Sequence, residues 1–232
     1  VACAGLGEAV SPRTILDHAL KNLYDGVALA DVQQALILAA RTLIEREPGY
    51  DYATARLLLA SLREEALGQP PAPVAVDAEY LPIFIKRGIA AELLDPRLAD
   101  FDLDRLAAAL KPERDHLFGY LGLQTLYDRY FLHIDGHRIE LPQIFFMRVA
   151  MGLALNEIDR EAHAIAFYDL ISSFDFMCST PTLFNSGTLH SQLSSCYLTT
   201  VADDLDGIYQ SIKENALLQK YAGGLGNDWT PV

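Results

Sequence analysis

The sequence contains no apolar run near the about 20 residues that a helix needs to cross a bilayer, which excludes a membrane-spanning helix as its organising element. Positive charge is scarce too. Against 31 Asp and Glu stand 18 Lys and Arg, a net charge of −13, so a DNA or RNA backbone would be repelled over most of the surface. Single nucleotides are not excluded, because a few backbone N–H groups at a helix start can hold a phosphate whatever the global charge. Cysteine is sparse: Cys3, Cys178 and Cys196 are far apart and odd in number, which fits neither a disulfide framework nor a cysteine metal site. A reducing cytoplasm is the expected compartment. The start Val1-Ala2-Cys3-Ala4-Gly5 has no basic flank before a long apolar stretch, so no signal peptide is expected. No two histidines share a metal-binding spacing beside a carboxylate, and His116, His163 and His190 read as surface or core residues. Internal repeats and low-complexity tracts are absent.

What is there is mostly helical patterning. Asp31 and Gln34 form a candidate capping box, followed by Val32, Leu36, Ala39 and Leu43 at helical spacing. Pro48-Gly49 is expected to end that helix, and a second runs from about Asp51 to Leu67 with Gly68 as its stop. Gln69-Pro70-Pro71-Ala72-Pro73 reads as a stiff connector. Tyr80–Leu94, Leu103–Leu110 and Asp115–Tyr130 pattern as further helices. Asp135-Gly136 between two short β-prone runs predicts a two-residue hairpin, since both turn residues need positive φ. Pro142 suits the first turn of a helix over Gln143–Asn156, and another follows at about Arg160–Phe174.

The last third changes character. Thr180–Gln192 reads as a loop, Leu193–Val201 as a strand and Leu205–Tyr221 as a helix, with Asp203, Asp204 and Asp206 at its favourable N-terminal end. A glycine-rich loop, Ala222-Gly223-Gly224-Leu225-Gly226-Asn227, is expected to break that helix. Strand, acidic turn, helix and glycine loop form the start of an α/β unit. The chain stops at Thr230-Pro231-Val232 where a next element is expected, as a cut chain would.

By residue type alone these segments say little about chemistry. A lone Cys in an apolar strand is ordinarily a small buried hydrophobe. Thr182 and Ser195 read equally well as turn and strand hydroxyls. A Gly-Gly-x-Gly run mostly just ends a helix. The combination is more specific. TPTLFNSGT from Thr180, QLSSCYL from Gln192 and AGGLG from Ala222, at these spacings, closely resemble the first barrel segment of class I ribonucleotide reductase large subunits. The run Leu141-Pro142-Gln143 to Gly152-Leu153 resembles the helical region before that barrel, and a weaker likeness reaches back to Asp51–Gly68.

The resemblance implies a mainly α chain: a helical amino-terminal domain leading into the first strand and helix of a ten-stranded α/β reductase barrel. It divides the chain into residues 1–50, partial or degenerate ATP-cone; 51–178, the helical domain; and 179–232, the barrel start. It implies that ribonucleoside diphosphates are reduced by radical chemistry, with Cys196 as one of two redox thiols facing the ribose. Thr182 would contact the substrate phosphate, Ser195 would lie beside the ribose, and Gly224 would let backbone approach the substrate because no Cβ stands in the way. Asp203, Asp204 and Leu205 would bind a deoxynucleotide effector, Asp203 taking the deoxyribose hydroxyl. Helix 205–221 would pack on its twin in a homodimer through Ile208, Ile212 and Ala216, although packing within one chain would need the same stripe. No cofactor is expected in this chain. The radical metal centre is implied in a separate small (beta) subunit, the effectors are dNTP and ATP, and thioredoxin or glutaredoxin would reduce the enzyme.

The second redox thiol, the radical cysteine and a Glu/Asn pair are not among these residues, so the chain alone is expected to be inactive. Asn22–Arg46 resembles the closing helices of an ATP-cone. Ala28 and Leu29 replace the polar residue expected after the Asp-Gly turn, and Arg63-Glu64-Glu65 stands where a Lys would face phosphate, so ATP control is not expected. The competing reading is a non-catalytic helical regulatory or interaction module. A class II or anaerobic reductase fits the class I-like segment less well.

Overall fold

The computed structural model describes residues 1–68, 76–220 and 223–232. Ten α-helices and four short strands occur among them. The amino-terminal part comprises α1 (Pro12–Ala19), α2 (Leu29–Thr42) and α3 (Gly49–Leu67). Ser11 caps α1 and Pro12 occupies its first turn, where a missing N–H costs nothing. Helix α2 starts earlier than the capping-box reading placed it: Ala28 is the cap residue, without a side-chain bond, and Asp31 lies inside the first turn. It also ends at Thr42, six residues before Pro48. Gly68 closes α3 in the left-handed conformation (φ 66°) with its N–H on the Glu64 carbonyl, as its sequence position suggests. Val10, Ile15, Ala19, Ala40, Leu43, Tyr50 and Ala53 form a small core of their own beneath these helices. The proline-rich stretch after Gly68 lies outside the described residues, except that α4 (Val76–Ala90) begins directly beyond it.

The main core gathers α3, α4, α5 (Leu103–Ala109), α6 (Tyr120–Arg129), α7 (Pro142–Ala154) and α8 (Arg160–Ser172). The helix expected over Asp115–Tyr130 is split. A 3-10 turn covers Pro112–Leu117, and α6 begins after Gly119. Tertiary contact decides the break. The Asp51 carboxylate on α3 accepts the Tyr120 N–H at 2.9 Å, and a Cβ on Gly119 would stand 2.2 Å from that carboxylate. Between α6 and α7 lies the expected hairpin, β1 (His133–Ile134) antiparallel to β2 (His137–Arg138), with Asp135 at φ 51° and Gly136 at φ 81°. Helix α7 is the centre of the molecule. Every residue from Pro142 to Met151 is buried, including Gln143 and Arg148, and α8 packs along it.

Polar clusters also lie in and beside this core. The Arg63 guanidinium pairs with Asp77 and lies 3.5 Å from Asp115, which also accepts from Gln143 at 2.8 Å; the Tyr168 hydroxyl donates to Gln143 at 2.7 Å. Burial pushes the Asp115 carboxyl up to about 7, against the opposing pull of the Gln143 hydrogen bond. Nearby, Glu65 accepts from the Tyr127 hydroxyl at 2.8 Å and the Arg138 N–H at 2.7 Å. Arg63 and Glu65 are therefore structural bonds between elements.

The final third contains α9 (Thr180–Asn185), β3 (Cys196–Thr200), α10 (Leu205–Lys220) and β4 (Gly224–Asp228). Two sequence expectations change here. The start of the Thr180–Gln192 loop is a short helix, with Ser179 at its cap and Pro181 in its first turn. Tyr221 and Ala222 lie outside the described residues, and most of the remaining glycine run is no loop. Gly224–Asp228 is a strand paired in parallel with β3, in the register Cys196↔Gly224 to Thr200↔Asp228. A β–α–β crossover in one sheet is the repeating element of an α/β barrel. No helix among the described residues is long and apolar enough to cross a membrane.

Candidate active site

Three segments assemble the site. Helix α9 brings Thr182, whose hydroxyl donates to the Leu193 carbonyl at 3.1 Å. Asn185 donates to the Gln192 carbonyl at 2.7 Å, so the same helix grips the chain just before β3 twice. Ser195 and Cys196 follow, their side-chain oxygen and sulfur 3.6 Å apart. The Gly224 N–H then donates to the Ser195 carbonyl at 2.6 Å, which sets β4 beside the thiol. The structure thus ties Thr182 to Leu193, two residues before Ser195, and sets Gly224 beside Ser195 and Cys196.

The two faces of this small sheet differ. Side chains alternate along a strand, so Tyr197 and Thr199 turn one way and Cys196, Leu198 and Thr200 the other. The first pair is half-buried and the second set exposed. On the covered face the Asn227 amide bonds Thr199, and Asn215 of α10 donates to Asn227 at 2.8 Å. On the open face Cys196 and Leu198 lie beside Gly224 and Gly226. A Cβ on Gly224 would stand 3.3 Å from the Ser195 carbonyl and 3.7 Å from the Cys196 sulfur, and one on Gly226 would meet Leu198 at 2.7 Å. The glycines keep this face flat and the thiol uncovered. Cys196 is therefore exposed, unlike a packed core cysteine. Cys3 and Cys178 are half-buried, and burial pushes both thiols up.

The acidic turn is split in role. Asp204 accepts the Gly207 N–H at 2.8 Å and so caps α10, while Asp203 and Leu205 are exposed. The apolar stripe on α10 is also offset from its expected line. Ile208 is half-buried, whereas Leu205, Tyr209, Ile212 and Ala216 are exposed at helical spacing. Only Ser211 is buried on α10. The bond of α10 to the covered face of β3 and β4 runs through Asn215, Asn227 and Thr199.

Sequence reading missed Arg148. It sits with no exposed surface in the middle of α7, against Glu140, and reaches the carbonyls that follow Thr182. The available signal was a single charge inside the apolar run Ile144–Met151, since a buried guanidinium must have partners. A cavity of about 570 Å³ opens beside α9, lined by Glu92, Thr180, Asn185 and His190 among others. Among the described residues no cluster of three or more His, Cys, Asp or Glu could hold a metal ion.

An all-helical core followed by a parallel strand–helix–strand unit is the arrangement of a helical domain entering an α/β barrel, and two family matches coincide with those parts. Residues 116–191 match the ribonucleotide reductase all-alpha domain, and residues 194–232 match the ribonucleotide reductase barrel domain. The chain belongs to the ribonucleotide reductase large-subunit family. It is 50 % identical over its whole length to the ribonucleoside-diphosphate reductase subunit alpha of Chlamydia muridarum, covering 22 % of that protein. With the subunit alpha of Helicobacter pylori it shares 40 % identity over 97 % of the chain and 28 % of the relative. With the large subunit of Danio rerio it shares 35 % over the same shares of each. The chain thus spans about a quarter of the length of these relatives.

Proposed function

We propose that this chain supplies one redox thiol and the phosphate-contacting segment of a ribonucleoside-diphosphate reductase alpha subunit. The observation that carries the reading is Cys196: an exposed thiol at the head of a parallel strand, flanked by Ser195 and facing Gly224. Replacing the 2′ hydroxyl of a ribose by hydrogen takes two electrons and two protons, and releases water. Two thiols supply both and end as a disulfide, which an external dithiol such as thioredoxin or glutaredoxin then reduces. Cys196 is one of the two. Its partner belongs outside these 232 residues, because Cys3 packs in the amino-terminal core and Cys178 against the main core.

On substrate binding Thr182 exchanges its bond to the Leu193 carbonyl for one to the substrate phosphate, which supplies a hydrogen bond without adding charge. Ser195 lies at the ribose, and Gly224 leaves room for it. Asp203, Asp204 and Leu205 form the effector turn, with Asp203 on the deoxyribose hydroxyl of a dNTP. The exposed stripe of α10 is the homodimer contact, placing that effector between subunits. The radical arrives from the beta subunit, whose metal centre generates it. A cytoplasmic setting supplies the reducing thiols.

The test is Cys196→Ser in the complete reductase polypeptide. Thioredoxin-dependent turnover of ribonucleoside diphosphates is expected to vanish while the protein still folds. Unchanged turnover would remove the redox role of Cys196.

A further inference from the structure

We propose that Arg148 is a positioning residue for substrate binding: its buried guanidinium holds the end of α9 and thereby places the Thr182 hydroxyl. This rests on the assignment of Thr182 to the substrate phosphate. The geometry is specific. One nitrogen of Arg148 donates to the Ser186 carbonyl at 2.6 Å and to the Phe184 carbonyl at 3.4 Å, and another reaches the Leu183 carbonyl at 3.3 Å. These are the carbonyls that a helix leaves without partners at its C-terminal end. The remaining face of the guanidinium is taken by Glu140, at 2.6 Å and 3.4 Å, and Glu140 in turn accepts the Leu132 N–H at 2.8 Å. Both side chains have no exposed surface.

A helix of six residues has too few internal bonds to persist by itself, so outside contacts must hold α9. Its attachment to α7 is close at every level. The Ser186 hydroxyl donates to the Val149 carbonyl at 2.7 Å. Gly187, at φ 76°, lies so near α7 that a Cβ would stand 2.9 Å from the Arg148 carbonyl. Asp95 donates its N–H to the Gly187 carbonyl at 3.1 Å from the other side. Thr182 immediately precedes the clamped carbonyls and bonds Leu193, on the approach to Ser195 and Cys196. A displacement of the α9 end therefore moves the Thr182 hydroxyl. A planar fork with several fixed donors can serve three carbonyls and a carboxylate at once; a lysine ammonium cannot reproduce that geometry.

The test uses the complete reductase polypeptide. Arg148→Lys keeps the charge and loses the fork. The pair Arg148→Met with Glu140→Gln removes both buried charges, so that no carboxylate is stranded. Each is expected to raise KM for the ribonucleoside diphosphate roughly tenfold, the loss of one or two hydrogen bonds to substrate, with kcat nearly unchanged. Combined with Thr182→Val, neither should raise KM further, because all act through one hydroxyl. Unchanged KM in a folded variant, additive effects with Thr182→Val, or unfolding of both variants would each overturn the positioning role. If Thr182→Val alone leaves KM unchanged in an active enzyme, the phosphate assignment fails, a separate outcome.

Discussion

Cys196 and Gly224 are direct partners across parallel strands, and the Gly224 N–H donates to the carbonyl of Ser195 at 2.6 Å. The smallest residue thus stands beside the exposed thiol, on the face that α10 leaves open. Thiolate reactivity depends on access and on pKa: Cys196 is exposed, whereas Cys3 and Cys178 are half-buried and burial pushes their thiols up. In the native chain, Cys196 is expected to react with an aromatic disulfide reagent at least about tenfold faster than Cys3 or Cys178. Peptide mapping after timed labelling measures this. Labelling of all three at one rate would contradict the exposed placement.

Gly152 and Gly226 give opposite expectations for the same substitution. Gly152→Ala would raise helix propensity in α7 by about 1 kcal/mol, yet its Cβ would stand 2.1 Å from the Gly187 nitrogen. The backbone there cannot yield cheaply, and the change is expected to destabilise by about 2–3 kcal/mol or more. At Gly226 the obstacle is the tip of Leu198, a side chain that is 90 % exposed and free to turn. Gly226→Ala is expected to cost less than about 1 kcal/mol. Urea unfolding of the two variants compares them directly.

Asp115 links stability to pH. Its carboxyl is raised from 3.8 to about 7, chiefly by burial, so between those values the folded state keeps a proton that the unfolded state has released. Stability from this group is full below about pH 4 and is lost as pH rises through about 7, at a slope of up to about 1.4 kcal/mol per pH unit. Asp77, also raised by burial, acts in the same direction. Asp95 and Asp169 are lowered by their arginine and lysine partners and oppose it, losing their contribution only at still lower pH. Asp115→Asn should therefore flatten the stability profile between pH 5 and 7.5, as followed by denaturant unfolding. A wild-type profile already flat in that window would contradict the buried acid.

Asp204 caps α10 through the Gly207 N–H. Asp204→Ala is expected to cost about 1 kcal/mol, read as about fivefold faster amide exchange over residues 205–210. Helix α7 should be unaffected, since nothing in the cap touches it. Equal acceleration in both helices would show that the barrel opening and the helical core unfold as one unit.

Much of the secondary structure was legible locally. Asp135-Gly136 predicted the hairpin because only a few residues tolerate positive φ there, and Gly68 and Pro142 marked helix ends for equally local reasons. Thr182, Ser195, Cys196 and Gly224 were singled out by motif; only the fold shows that Thr182 bonds Leu193 and that the Gly224 N–H bonds the Ser195 carbonyl. Other features had no local signal. The break before α6 comes from Asp51, 69 residues away from Tyr120. The glycine run reads as a loop by composition, and becomes a strand only because β3 offers it a hydrogen-bonding edge.

The sequence by itself determined where the turns and most helices fall, the helical character of the chain and the thiol-bearing motif. These depend on backbone preferences and apolar spacing within a few residues. Tertiary packing alone decided that Arg148 reaches from α7 to the end of α9, that α9 is a helix, and that Gly224 stands opposite Cys196. The reason is that a buried charge or an open strand edge needs partners, and those partners come from distant parts of the chain.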